Sequence, residues 1–104
     1  DQLGNNARAI QTYRRFLDDN PYSFTAWYNL GNTYSKEENF NDAVTAYEYC
    51  VAINDRFSPA YFNMGNAQLT LEQYRESIES FDRCIEIDGD DPLIGQTIGC
   101  CPLG

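Results

Sequence analysis

Histidine is absent from this 104-residue chain, and basic residues are few: 7 Lys and Arg stand against 16 Asp and Glu, a net charge of −9. Without histidine the commonest general base and the commonest metal ligand are both missing. With so few bases, no cationic face can gather phosphates, so neither a nucleic acid nor an anionic membrane surface is an expected partner. Neutral or basic partners fit the charge. No apolar run approaches the roughly 18 residues that would span a bilayer. Proline is scarce at 4 residues and tryptophan occurs once, as Trp27.

The four cysteines, Cys50, Cys84, Cys100 and Cys101, are too sparse for the disulfide framework of a small secreted domain and point to a reducing, cytoplasmic compartment. No Gly-rich phosphate loop, nucleophile–base pair or metal-spaced cluster occurs, so no enzymatic activity, cofactor or metal is expected. The acid pairs Asp18-Asp19, Glu37-Glu38 and Asp90-Asp91 fall in turns, where solvated carboxylates are ordinary. The chain opens on Asp1 rather than Met, which suggests a piece of a longer protein.

What the chain does have is an internal period. Shifted by 34 residues, Trp27 falls on Tyr61, Asn29 on Asn63, Leu30 on Met64, Gly31 on Gly65 and Asn32 on Asn66. The register runs on without a gap through Val44 on Ile78, Tyr47 on Phe81 and Cys50 on Cys84. A fixed period of this length is the mark of a repeat architecture.

Inside each period the apolar spacing is helical. Trp27, Leu30, Gly31 and Tyr34 make one stripe; Phe40, Ala43, Val44, Tyr47, Cys50 and Val51 make a second. The short polar Glu37-Glu38-Asn39 between them fits a tight turn between antiparallel helices. Ser23 offers a side-chain cap, Pro59 suits a first helical position, and Asn20-Pro21 ends the first helix. The pattern predicts an all-α chain of five helices, about 6–18, 24–36, 40–53, 59–70 and 74–87. At 100° per residue, Tyr28, Asn29, Asn32 and Lys36 lie opposite the core stripe, and Phe62, Asn63, Asn66 and Thr70 repeat that face.

The segment Ala26-Trp27-Tyr28-Asn29-Leu30-Gly31-Asn32-Thr33-Tyr34 resembles the first helix of a tetratricopeptide repeat, and Ala43, Tyr47 and Cys50 match the second helix. The resemblance covers 1–91. It departs where the Pro that closes a repeat, present as Pro21, becomes Asp55 and Gly89, and where a first-helix aromatic becomes Gln68. It implies an antiparallel helical-hairpin solenoid with right-handed superhelical stacking. Residues 1–22 then hold the second helix of a truncated repeat, 23–57 and 58–91 are complete repeats, and 92–104 are a tail or the stub of another. In the tail, Ile98-Gly99 keeps the Leu-Gly phase, but Gly95 replaces the aromatic and Pro102 blocks further helix.

The resemblance also implies a function, a protein-interaction module whose concave groove is lined by the first helices. Tyr28, Asn29, Asn32, Lys36, Phe62, Asn63, Asn66 and Thr70 are the candidate groove residues, with all four Asn expected in solvent. Carboxamides both donate and accept, so they can hold a peptide main chain whatever its sequence. The competing reading assigns Asn29 and Asn63 to local backbone capping. Clamping of a terminal carboxylate, known in the family, is not expected: Asn32 and Asn63 are in phase, but Tyr28, Leu93 and Thr97 stand where the bases would be. The alternative function is self-assembly into a homo-oligomer through the stacking faces of the terminal helices. Cys50 and Cys84 are expected buried and unpaired, Cys100 and Cys101 to have no site role, and Trp27 to pack between the helices of its own repeat.

Overall fold

The structure is a computed structural model that describes residues 2–89, with side chains from Asn6 to Asp88. The expectations for Asp90-Asp91, Cys100-Cys101 and the tail 92–104 lie outside the described residues. Five helices and no strand occur among the described residues: α1 (Gln2–Asp19), α2 (Phe24–Lys36), α3 (Phe40–Ile53), α4 (Ser58–Thr70) and α5 (Tyr74–Gly89). Each packs on its neighbour in sequence, and α2 also touches α4. Two helical hairpins, α2–α3 and α4–α5, are thus stacked side by side, with α1 covering the open side of the first.

Local chemistry sets the boundaries. Ser23 holds an extended backbone and its hydroxyl accepts from the Ala26 amide, satisfying one of the orphan donors that begin α2. Helix α2 stops in a left-handed turn: Glu38 sits at φ 60°, and the Asn39 amide reaches back to the Tyr34 carbonyl at 2.9 Å. The next repeat copies the device, with Glu72 at φ 64° and the Gln73 amide 2.8 Å from the Gln68 carbonyl. Helix α4 starts one residue earlier than its proline suggests. Ser58 lies inside the helix and donates its hydroxyl to Asp88 at the far end of α5, 3.0 Å away.

The core runs along the hairpin seams. Leu30, Tyr34, Ala43, Val44, Tyr47 and Cys50 are buried in the first, and Ala60, Tyr61, Met64 and Cys84 in the second. Gly31 is required by close approach: a Cβ there would lie 2.6 Å from Cε1 of Tyr47, so the bare backbone is what lets the ring lie flat on α2. Cys50 and Cys84 are buried and not joined to each other. Trp27 is half-buried; its ring stacks on Tyr49 of α3 and its indole N–H donates to the Pro21 carbonyl at 3.0 Å.

Exposure changes along the stack. Val44, on α3, which packs against α4, is 8% exposed, whereas its counterpart Ile78 on α5 is 60% exposed. Tyr74 and Ile85 share that open face with Ile78.

Candidate functional site

Helices α2 and α4 run side by side, and the start of α3 closes one end of the space between them. The result is a cleft of about 400 Å³ lined by Asn32, Ser35, Lys36, Phe40, Tyr47, Asn63, Asn66, Ala67 and Thr70. Five of the eight candidate groove residues meet there: Asn32, Lys36, Asn63, Asn66 and Thr70. The other three, Tyr28, Asn29 and Phe62, share the face but do not line the cleft. Lys36 is the one charged side chain in its wall.

The four Asn residues divide into two kinds. Asn29 and Asn66 are exposed, as the helical spacing requires. Asn32 and Asn63 are half-buried, because they face one another across the junction between repeats. The Asn63 amide donates to Asn32 Oδ1 at 2.9 Å and to the Tyr28 hydroxyl at 3.1 Å. The Tyr47 hydroxyl donates to the same Asn32 oxygen at 2.5 Å. The expectation that all four stand in solvent is therefore corrected for this pair, whose amides first tie the repeats together. Neither Asn63 nor Asn29 makes a side-chain hydrogen bond to backbone among the described residues, so the capping reading finds no support there.

This network still leaves polar groups open. Asn32 Nδ2 and Asn63 Oδ1 have no hydrogen-bond partner among the described residues, so the pair has a free amide NH2 and a free carbonyl oxygen beside the cleft they line. Tyr28 is wedged edge-on against Phe57, ring centroids 5.0 Å apart, and Phe62 leans on Phe81 at 5.8 Å. Both candidate aromatics are thus held against neighbouring rings beside the cleft and not in its wall.

Four cleft residues were not among the sequence candidates: Ser35, Phe40, Tyr47 and Ala67. Tyr47 belongs to the core stripe, and its ring is 99% buried in effect, with 1% of its surface exposed. Only its hydroxyl edge reaches the cleft, where Ser35 Oγ lies 3.5 Å away. The phenol is protonated at neutral pH, as tyrosine ordinarily is, and burial raises its pKa further, so it stays a donor to Asn32. The signal was present in the sequence: the counterpart position holds Phe81, and a hydroxyl gained at a core position calls for a partner.

Among the described residues no group of three or more His, Cys, Asp or Glu side chains is arranged to hold a metal ion. No helix there is long and apolar enough to cross a membrane.

No curated protein sequence matches the chain. Several solved structures share its fold. A crystal structure of MamA protein is 25% identical with a TM-score of 0.78, over 84% of this chain and 48% of that one. The first TPR of Spaghetti (RPAP3), bound to the HSP90 peptide SRMEEVD, is 23% identical with a TM-score of 0.78, over 93% of this chain and 82% of that one. The TPR2B domain of yeast Sti1, in complex with pHsp70, is 16% identical with a TM-score of 0.82, over 94% and 78%. This chain spans about half the length of the MamA chain. The tetratricopeptide repeat family model matches twice in direct succession, over residues 24–57 and 58–91, each match covering one α-hairpin. With two adjoining matches over most of its length and the hairpin stack that goes with them, the chain belongs to the tetratricopeptide repeat family.

Proposed function

We propose that the cleft between α2 and α4 binds the main chain of a peptide or protein partner, and that the chain's work is binding rather than catalysis. The observation that carries this is the open donor of Asn32 beside the open acceptor of Asn63, a pair complementary to the C=O and N–H of one peptide unit. Exposed Asn66 and Thr70 extend the polar wall, and Lys36 adds a single cation. The family consists of protein-interaction modules, and the similar RPAP3 and Sti1 domains hold an HSP90 peptide and pHsp70 respectively. Recognition here would rest on the peptide backbone and not on a terminal carboxylate. Tyr28 occupies the position of one clamp base, and the two clamp-phase Asn residues are bonded to each other.

The test starts from peptides selected for binding out of a random displayed library, with affinity then measured by calorimetry. Asn66→Ala, in the cleft wall, should weaken binding about 2- to 12-fold, the range of one lost hydrogen bond. Glu48→Ala and Glu79→Ala, on the outer helices, should change nothing, and amidating the peptide's C-terminus should be neutral. Unaltered affinity after the Asn66 change, with loss after the Glu changes, would move the site to the outer face.

A second reading rests on the open face of α5, where Tyr74, Ile78 and Ile85 are each about half exposed or more. Apolar groups in such a row favour stacking on a second copy of the chain. Light scattering after size exclusion should then reveal a concentration-dependent dimer that Ile78→Asp abolishes.

A further inference from the structure

On the opposite side of α2 from the groove, helices α1 and α3 stand apart and leave a second cleft of about 410 Å³, floored by α2. Its wall contains the Trp27–Tyr49 pair, stacked with ring centroids 4.5 Å apart and planes within 25°. Tyr49 is 52% exposed, a large aromatic surface left open to solvent. The charged groups lining the cleft are Asp18, Asp42 and Arg14. Arg14 is directed to the Tyr34 hydroxyl at 3.1 Å, Asp42 accepts from the Asn39 side-chain Nδ2 at 2.8 Å, and the Asp18 carboxylate has no hydrogen-bond or ion-pair partner among the described residues. Two carboxylates thus face one cation that is already directed to a neighbour.

The second repeat shows what this arrangement accepts. Thirty-four residues on, Trp27 is replaced by Tyr61 and Tyr49 by Arg83. There the Arg83 guanidinium lies over the Tyr61 ring, 5.6 Å from its centroid, with Glu86 as counter-ion at 3.5 Å. The second repeat carries its own cation on the aromatic at this position, while the first carries only the aromatic surface and the acids.

We propose that the cleft between α1 and α3 takes an arginine side chain from a partner polypeptide, laid against the Trp27–Tyr49 pair with Asp18 as its counter-ion. A planar guanidinium suits both halves of the site, stacking on a ring while its edge donates to a carboxylate. The chain's net charge of −9 attracts a basic segment to this face. The site is separate from the inner groove, shares none of its lining residues, and stands or falls independently of it.

Trp27 is the one tryptophan of the chain, so its fluorescence reports on this cleft alone. The probes are a blocked Gly-Arg-Gly peptide, the same peptide with citrulline for arginine, and free L-arginine. The arginine peptide should give a saturable emission change with half-saturation in the millimolar range or above, since an exposed cation–π contact and an exposed ion pair are both weak. Asp18→Asn should raise that half-saturation about threefold or more. Tyr49→Arg, which supplies the cation in cis as the second repeat does, should abolish the response while circular dichroism shows an unchanged melt. An equal response to the citrulline peptide, no saturation below about 100 mM of the arginine peptide, or a full response in both variants would overturn the proposal. Equal half-saturation by free L-arginine would overturn the assignment to a polypeptide.

Discussion

Asn32 and Asn63 stand 31 residues apart in sequence and 2.9 Å apart, amide nitrogen to carbonyl oxygen, across the junction of two repeats. Their bond joins residues that the 34-residue period does not equate, since the counterpart of Asn32 is Asn66 and that of Asn63 is Asn29. It is therefore a contact between repeats and not a feature repeated within each. Double-mutant cycles with Asn32→Ala and Asn63→Ala, followed by urea unfolding, should return a coupling of about 0.5–1.5 kcal/mol. Asn29→Ala and Asn66→Ala should each change stability by less than about 0.5 kcal/mol. The four side chains then sort into two that hold the stack and two that face solvent.

Alanine at the two repeat glycines should have unequal effects. At Gly31 the added Cβ meets the Tyr47 ring at 2.6 Å, and that ring is buried with its hydroxyl anchored on Asn32. Gly31→Ala should destabilise by about 1–3 kcal/mol even after the gain in helix propensity of about 1 kcal/mol. At Gly65 the Cβ meets Phe81 at 2.8 Å, but this ring is half-buried and carries no hydroxyl to hold it. The ring can swing outward, so Gly65→Ala should be nearly neutral in the same denaturant titration.

Gln68, which departs from the aromatic of the preceding repeat, is compensated two turns into the partner helix. The Ser80 hydroxyl donates to Gln68 Oε1 at 2.7 Å, and both residues are buried. Their counterparts are Tyr34 and Ala46, so a polar pair replaces a large ring and a methyl. Ser80→Ala alone should cost about 1–3 kcal/mol by orphaning a buried carbonyl. Combining it with Gln68→Tyr, which restores the first repeat's pair, should recover stability to within about 1 kcal/mol of the parent chain. Thermal melts of the three variants decide it.

Burial pushes the Cys50 thiol from an ordinary 9.0 up to about 11 and raises Tyr47 above its usual 10.0. Both groups are neutral acids whose folded pKa lies above the unfolded one. The Cys50 contribution is complete below pH 9 and is lost as pH climbs through about 11; that of Tyr47 begins to be lost only above its ordinary 10.0. Denaturant midpoints should hold between pH 7 and 8.5 and fall by pH 10.5. The fall should be smaller in Cys50→Ala. At pH 9 the Cys50 thiol should also resist iodoacetamide until the chain unfolds.

Much of this fold can be read from the sequence, because repeats state each message twice. The limits of α2 and α3 follow directly from Ser23, the polar Glu37-Glu38-Asn39 turn and two unbroken apolar stripes. Helix α1 begins at Gln2 rather than near Asn6, since Gly4, Asn5 and Asn6 weaken a helix start without forbidding one. The site was less legible, for a geometric reason. Helical spacing assigns a residue to a face of its own helix, yet Asn32 meets Asn63 at the edge where two such faces join. A single-helix projection has no term for that edge. The outer cleft was hidden for a related reason: Trp27 reads as core by spacing, and only the gap between α1 and α3 leaves its partner Tyr49 half open.

The left-handed turn residues carry a consequence for evolution and engineering alike. Glu38 and Glu72 hold a backbone conformation that glycine adopts without penalty and other residues adopt at about 1–2 kcal/mol. Both hairpins therefore close against a local bias, using the packing of their helices to hold the turn shut. An isolated α2–α3 or α4–α5 hairpin has less packing to spend on this, so the turns make each hairpin lean on its neighbour. Cooperativity in this small array is then written partly into two exposed loop positions, and loosening or tightening them would tune how far the repeats melt as one.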